Sequence, residues 1–171
     1  MARPLSDEYA SYYEKYVSLV PESDILKVMR AAPGTELGFL AGVGESEASV
    51  CHPPYTWTVK QVVGHLTDSE RVFGYRALRF ARGDATPLPG FDENAYASAI
   101  QLDDIPLKAL VAEFADLRRS HVAFFEHLSD QSWRRRGTAN NAAVSVRALA
   151  YILIGHERHH GSILRKRLER A

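Results

Sequence analysis

Two stretches of this chain repeat apolar residues at alternating steps of three and four, and that spacing commits each of them to a helix with one buried face. The first runs Leu107, Leu110, Phe114, Leu117, His121, Phe124, Leu128. The second runs Val146, Leu149, Leu153, His156, His160, Ile163. Strand signals are weak elsewhere. With 171 residues the chain is long enough for one domain with a real core. Stripes of this length must be covered by other helices, so the expected fold class is all-α, a four-helix bundle with short extra helices.

Start and stop signals place the other elements. Thr58-Val59-Lys60-Gln61 fits a capping box, and a long helix should run from it to about Arg82, ending at Gly83. Ser6–Val20 is a tyrosine-rich segment stopped by Pro21. Ser23 or Asp24 can cap a helix to about Gly42, with Pro33-Gly34 breaking or kinking it. Gly42–Pro54 and Ser129–Ala143 read as loops. The Pro/Gly-rich crossover Gly83–Gly90 leads to a short helical turn around Asp92–Ala99. Pro106 opens a helix to near Leu128, and Ser145 can cap a last helix to about Leu168. No internal repeat or low-complexity linker divides the chain, so residues 1–171 are expected to form a single domain.

Lys+Arg and Asp+Glu number 21 each, which leaves no net positive field of the kind nucleic-acid binding needs. The runs Arg134-Arg135-Arg136 and Arg165-Lys166-Arg167 read as solvated faces. Cys51, the single cysteine, excludes an internal disulfide and suits a reducing cytoplasm. Met1-Ala2-Arg3-Pro4 shows no apolar signal region, and the run Ala148–Ile154 is too short to span a bilayer. The expectation is a cytoplasmic protein acting on a small molecule, with neither nucleic acid nor membrane as partner.

The histidines carry the chemistry. His156 and His160 sit one turn apart on the same stripe, about 5–6 Å apart at Cβ, a geometry in which two imidazoles can grip one metal ion. Two polar rings buried without partners would cost about 1–3 kcal/mol each, and a shared divalent ion satisfies both. A pair of partnered core histidines is the alternative. The letters His156-Glu157-Arg158-His159-His160 also match the H-E-x-x-H of zinc proteases, with Glu157 as general base. That reading fails, because Ile163 and Lys166 stand where the extended motif needs glycine and histidine, and residues 161–171 leave little chain for a further ligand. A third ligand should come from upstream. His65 lies beside the seam Val62, Leu66, Ser69, Phe73, and Gly64 precedes it as Gly155 precedes His156. His121, mid-seam, is a fourth ligand or a partnered core residue. His159 lies off the stripe and should be exposed, while His52 and His127 carry no pattern.

The segment from Trp57 to Leu66, followed by Glu70-Arg71 and Tyr75-Arg76, resembles the second helix of the DinB-like superfamily. Leu88-Pro89-Gly90-Phe91-Asp92, Arg136-Gly137-Thr138, and Ser145–Leu149 leading into Gly155–His160 continue the likeness, most closely to its YfiT-like branch of metal-dependent hydrolases and thiol S-transferases. The resemblance implies an up-down bundle, often a homodimer, and a mononuclear zinc or nickel site at His65, His156 and His160. Some relatives are transferases or isomerases that use bacillithiol, mycothiol or glutathione. Three neutral imidazoles with a vacant position make an open site of catalytic type. Such an ion can activate water or hold a low-molecular-weight thiol as its thiolate. Glu70, Asp68 or Glu157 could orient the ligands from behind. Three functions stay open: a thiol-dependent S-transferase acting on small electrophiles, a metal-dependent hydrolase, and a non-catalytic metal-binding or stress-response module.

Overall fold

The computed structural model describes residues 2–31 and 36–169. Among them the helices are α1 (Glu14–Val17), α2 (Ile25–Ala31), α3 (Glu45–Ala48), α4 (Val59–Ala81), α5 (Glu93–Ala99), α6 (Leu107–Glu126), α7 (Asp130–Arg134) and α8 (Val146–Leu168). Strands β1 (Arg136–Ala139) and β2 (Ala142–Ser145) form an antiparallel hairpin with Arg136 opposite Ser145. The proline-glycine break expected at Pro33-Gly34 lies outside the described residues.

The caps form as their sequences require. Thr58 Oγ1 accepts the Gln61 N–H at 3.0 Å, and Gln61 Oε1 accepts the Thr58 N–H at 2.9 Å. Asp92 accepts from Asn94 and Ala95, and Ser145 from Ala148. Gly83, at φ +82°, stops the chain just beyond α4 in a conformation that suits glycine.

Four helices make the bundle. α4 packs between α6 and α8, and α2 closes the ring against α6 and α8. The core gives the sense of α6: Val59, Val63 and Leu66 share a cluster with Leu107, Leu110 and Phe114, whereas Phe73, Ala77 and Phe80 share one with Val122 and Phe125. Early positions of one helix meet early positions of the other, so α4 and α6 run the same way. The crossover through residues 82–106, with α5 in it, returns the chain to the starting end and makes this possible. α8 runs against α4, since Leu164 shares a cluster with Val59 and Val63 while Leu149 shares one with Phe80. The path from Glu22, at Tyr151, to Glu36, at Arg165, sets α2 alongside α8. Along the chain the four helices therefore run up, down, down, up.

Two stripes sit differently from their periodicity. On α6 the inner line past Phe114 is Arg118, Val122 and Phe125, whereas Leu117, His121, Phe124 and Leu128 are half-buried flanks. The charged Arg118 takes the centre because two buried carboxylates meet it there. On α8, residues 148–157 are buried on every side, since the N-terminal segment with α1 covers the face left open by the bundle. That approach explains Gly155: a Cβ there would overlap the Tyr16 carbonyl.

The stretch Ser129–Ala143, expected as loop, holds α7 and most of the hairpin. Asn140 and Asn141 turn it at φ +50° and +60°, and this Asn-Asn pair was the available signal. One turn, α3, forms within the other expected loop. Arg167, read as part of a solvated run, is buried at the foot of α8. It donates to His52 Nδ1 at 2.8 Å, to the Trp57 carbonyl at 2.8 Å and to the Val50 carbonyl at 2.7 Å. This clamp fixes the segment before α4. Among the described residues no helix is long and apolar enough to cross a membrane.

Candidate metal centre

Antiparallel packing of α4 on α8 brings His65 opposite His156 and His160. Their rings stand 4.9, 5.0 and 4.6 Å apart, centre to centre, for the pairs 65–156, 65–160 and 156–160. One ring nitrogen from each lies within 4.8 Å of the others, and His65 Nε2 is 3.1 Å from His156 Nε2. His65 and His156 are buried, and His160 is half-buried at the mouth.

The rings sit among aromatic side chains. Trp57 lies 5.0 Å from His65, Tyr16 meets His156 edge-on at 5.1 Å, and Phe73 meets it at 6.2 Å. Burial pushes His65 down to about 4, and burial with the neighbouring histidines pushes His160 down to about 3 and His156 well below the usual value. All three are therefore neutral at pH 7, which leaves each a lone pair to offer. The histidines form one wall of a cavity of about 500 Å³. Its other walls come from α1 and the turn before it, α4, the crossover and the hairpin.

The structure does not bring the other sequence-predicted residues to this cluster. Asp68 pairs with Arg71 at 3.5 Å. Glu70 and Glu157 both turn to Arg118, which meets Glu70 at 2.7 and 2.8 Å and Glu157 at 2.7 Å. Burial alone would raise the Glu70 carboxyl, but the charge of Arg118 and hydrogen bonds from His121 and Arg118 hold it at about 2. Glu157 has a single partner for two oxygens; burial raises it to about 7 despite Arg118. His121 Nδ1 donates to Glu70 Oε1, 2.9 Å away, and the ring stands apart from the three clustered rings. His159 is half-buried rather than exposed, packed on Tyr16 at 5.3 Å, and lines the cavity.

Sequence reasoning missed the cavity's other walls. Tyr12, Tyr13 and Tyr16 reach it because α1 folds over α8, a long-range contact with no local signal beyond the tyrosine spacing. Arg76 and Phe73 could have been found by continuing the His65 face of α4 by whole turns.

Fold and site together define a class: a four-helix bundle carrying an open cluster of three neutral histidines at the wall of an aromatic-lined cavity. The profile of the DinB superfamily matches residues 29–164, and the chain belongs to that superfamily. A protein of Oceanobacillus iheyensis named as a candidate metal-dependent hydrolase is 26% identical over 121 residues, covering 69% of this chain and 68% of the relative. Among solved structures, YfiT from Bacillus subtilis is similar in fold, with a TM-score of 0.71 over 98% of this chain and 91% of YfiT at 18% identity. YfiT is described as having an unusual four-helix-bundle topology.

Proposed function

We propose that His65, His156 and His160 hold one divalent ion, zinc or nickel, and that the protein is a thiol-dependent S-transferase acting on small electrophiles. The single observation that carries the reading is the convergence of three neutral imidazoles on the wall of a cavity of about 500 Å³, a size that suits a small organic molecule. The donor set fits the ion: three nitrogens face one another with no carboxylate between them, as an imidazole-rich site for a first-row metal requires. A bound ion supplies Lewis acidity and favours the thiolate form of a thiol ligand.

The chain's own residues do the rest. No cysteine lies in the cavity, since Cys51 is exposed and donates to the Thr56 carbonyl. The nucleophile therefore comes from outside, a low-molecular-weight thiol. Trp57, Tyr16 and Phe73 exclude water from the histidines and give an electrophile an apolar surface. The Tyr16 phenol, pushed up first by burial and then by Tyr12, keeps its proton and can donate a hydrogen bond to negative charge developing on a leaving group. The names of the Oceanobacillus and Bacillus proteins favour a second reading, hydrolysis by activated water.

A homodimer is part of the proposal and is checked by light scattering. The deciding experiment incubates metal-loaded protein with monobromobimane plus a panel of cellular thiols, and separately with 4-nitrophenyl acetate. Thiol-dependent conjugation lost in His156→Ala supports the transferase. Ester cleavage without thiol, and no conjugation, supports the hydrolase. Neither activity with metal retained supports a non-catalytic binding module.

A further inference from the structure

The face of α4 that begins at His65 continues along the cavity as Ser69, Phe73 and Arg76, all four lining it. Steps of four, four and three keep them on one side of the helix. Arg76 lies close to three turns beyond His65, about 16 Å along the axis, and its side chain leans back toward the N-terminus, leaving roughly 10 Å between guanidinium and imidazoles.

Arg76 is 3% exposed. Its Nη2 donates to the Pro89 carbonyl at 2.8 Å, its guanidinium lies 5.6 Å from the Phe73 ring centre, and the Tyr13 phenol sits beside it. Among the described residues no carboxylate forms an ion pair with it. A guanidinium has five N–H donors in a planar fork, and a buried cation without an anion is costly. Two other charged side chains line the cavity. Lys15 is exposed, over the Tyr12 and Tyr16 rings, and the charge of Glu93 acts on His65, Tyr13 and Tyr16. Midway along the stripe the Ser69 hydroxyl is buried with no hydrogen-bond partner, whereas a helical serine ordinarily bonds back to the preceding turn.

We infer that the Arg76 end of the cavity is a carboxylate-binding subsite. The substrate class is then a small carboxylic acid whose apolar middle lies on Phe73 and whose reacting end reaches the histidines. The inference rests on the reading of this cavity as the substrate site. Arg76 supplies the fork that a carboxylate accepts in bidentate fashion, the Pro89 contact holds that fork in place, and a single net positive charge among the three lining ionic groups matches a monoanion.

The test compares 4-phenylbutyrate with its neutral amide, which has nearly the same shape, by quenching of Trp57 fluorescence. Trp133 is stacked on Phe125 in the core and contributes a constant background. In metal-free wild-type protein the acid should bind at least tenfold more tightly than the amide. That ratio should fall to near one in Arg76→Met and recover in part in Arg76→Lys. Equal binding of acid and amide by the wild-type protein overturns the proposal, as does a ratio preserved in a folded Arg76→Met or the absence of binding by either probe. If Arg76→Met fails to fold, the wild-type comparison alone decides. Metal uptake is measured on the same samples. An acid preference without stoichiometric metal refutes the metal reading only, and metal uptake without the preference refutes the subsite only.

Discussion

Replacing Arg118 tests how the bundle holds charge in its interior. The residue has no exposed surface, and its ion pairs reach Glu70 on α4 and Glu157 on α8. It thus joins the three long helices behind the histidine cluster. Glu70 is held at about 2 instead of the usual 4.5, a difference worth about 3 kcal/mol. Breaking a buried pair by removing one partner costs about 3–5 kcal/mol, because the other charge is stranded. Arg118→Met keeps the apolar stem and removes the guanidinium, so a loss of about 3–5 kcal/mol is expected at pH 7. For a chain of this size that lowers Tm by roughly 6–20 °C, read by circular dichroism. In the wild type, Glu70 has a depressed folded pKa. Its contribution is present above pH 4.5 and lost as pH falls through 2. Glu157 acts oppositely: its folded pKa is raised to about 7, so its contribution is full below 4.5 and lost as pH rises through 7. Without Arg118, burial pushes both carboxyls upward, protonation relieves them, and the deficit should shrink between pH 7 and pH 5. A loss under about 1 kcal/mol at pH 7, or a deficit that does not change with pH, would refute the reasoning.

Gly155→Ala should destabilise by about 1–3 kcal/mol, since the new methyl meets the Tyr16 backbone rather than a yielding side chain; the urea midpoint measures it. Arg167→Ala should cost about 1–3 kcal/mol and red-shift Trp57 emission as the segment before α4 loosens, and unchanged emission would show that the clamp does not position Trp57. Elemental analysis should find one ion per wild-type chain and little in His65→Ala or His160→Ala. Because His65 and His160 have folded pKa values of about 4 and 3, below the unfolded 6.5, the metal-free protein should lose stability as pH falls from 6.5 toward 4. With metal added, occupancy should persist to about pH 5, below the range of an ordinary histidine site; release already at pH 6.5 would contradict the buried setting of these rings.

The long helices and their caps were legible because capping and amphipathic spacing are local: Thr58, Asp92 and Ser145 satisfy backbone N–H groups within one turn of themselves. The α6 stripe was legible only to Phe114. Beyond it, the apolar spacing passes over Arg118, since nothing in one helix announces that two carboxylates on other helices will neutralise a charge. The hairpin was hidden for a related reason. Two four-residue strands are too short for a period to show, and their stability comes from packing on the Phe80 side of the bundle.

The sequence by itself determined that this chain is a helical bundle and that His156 and His160 share a face, because both follow from the pitch of one helix. The resemblance carried in its motifs pointed to His65 as their companion. Tertiary packing settled that α4 and α6 run the same way and that residues 148–157 of α8 are covered on every side. It also decided that a cavity joins the histidines to Arg76. Those features depend on which residues distant in the chain come within a few ångströms, and that is settled by how whole faces fit together.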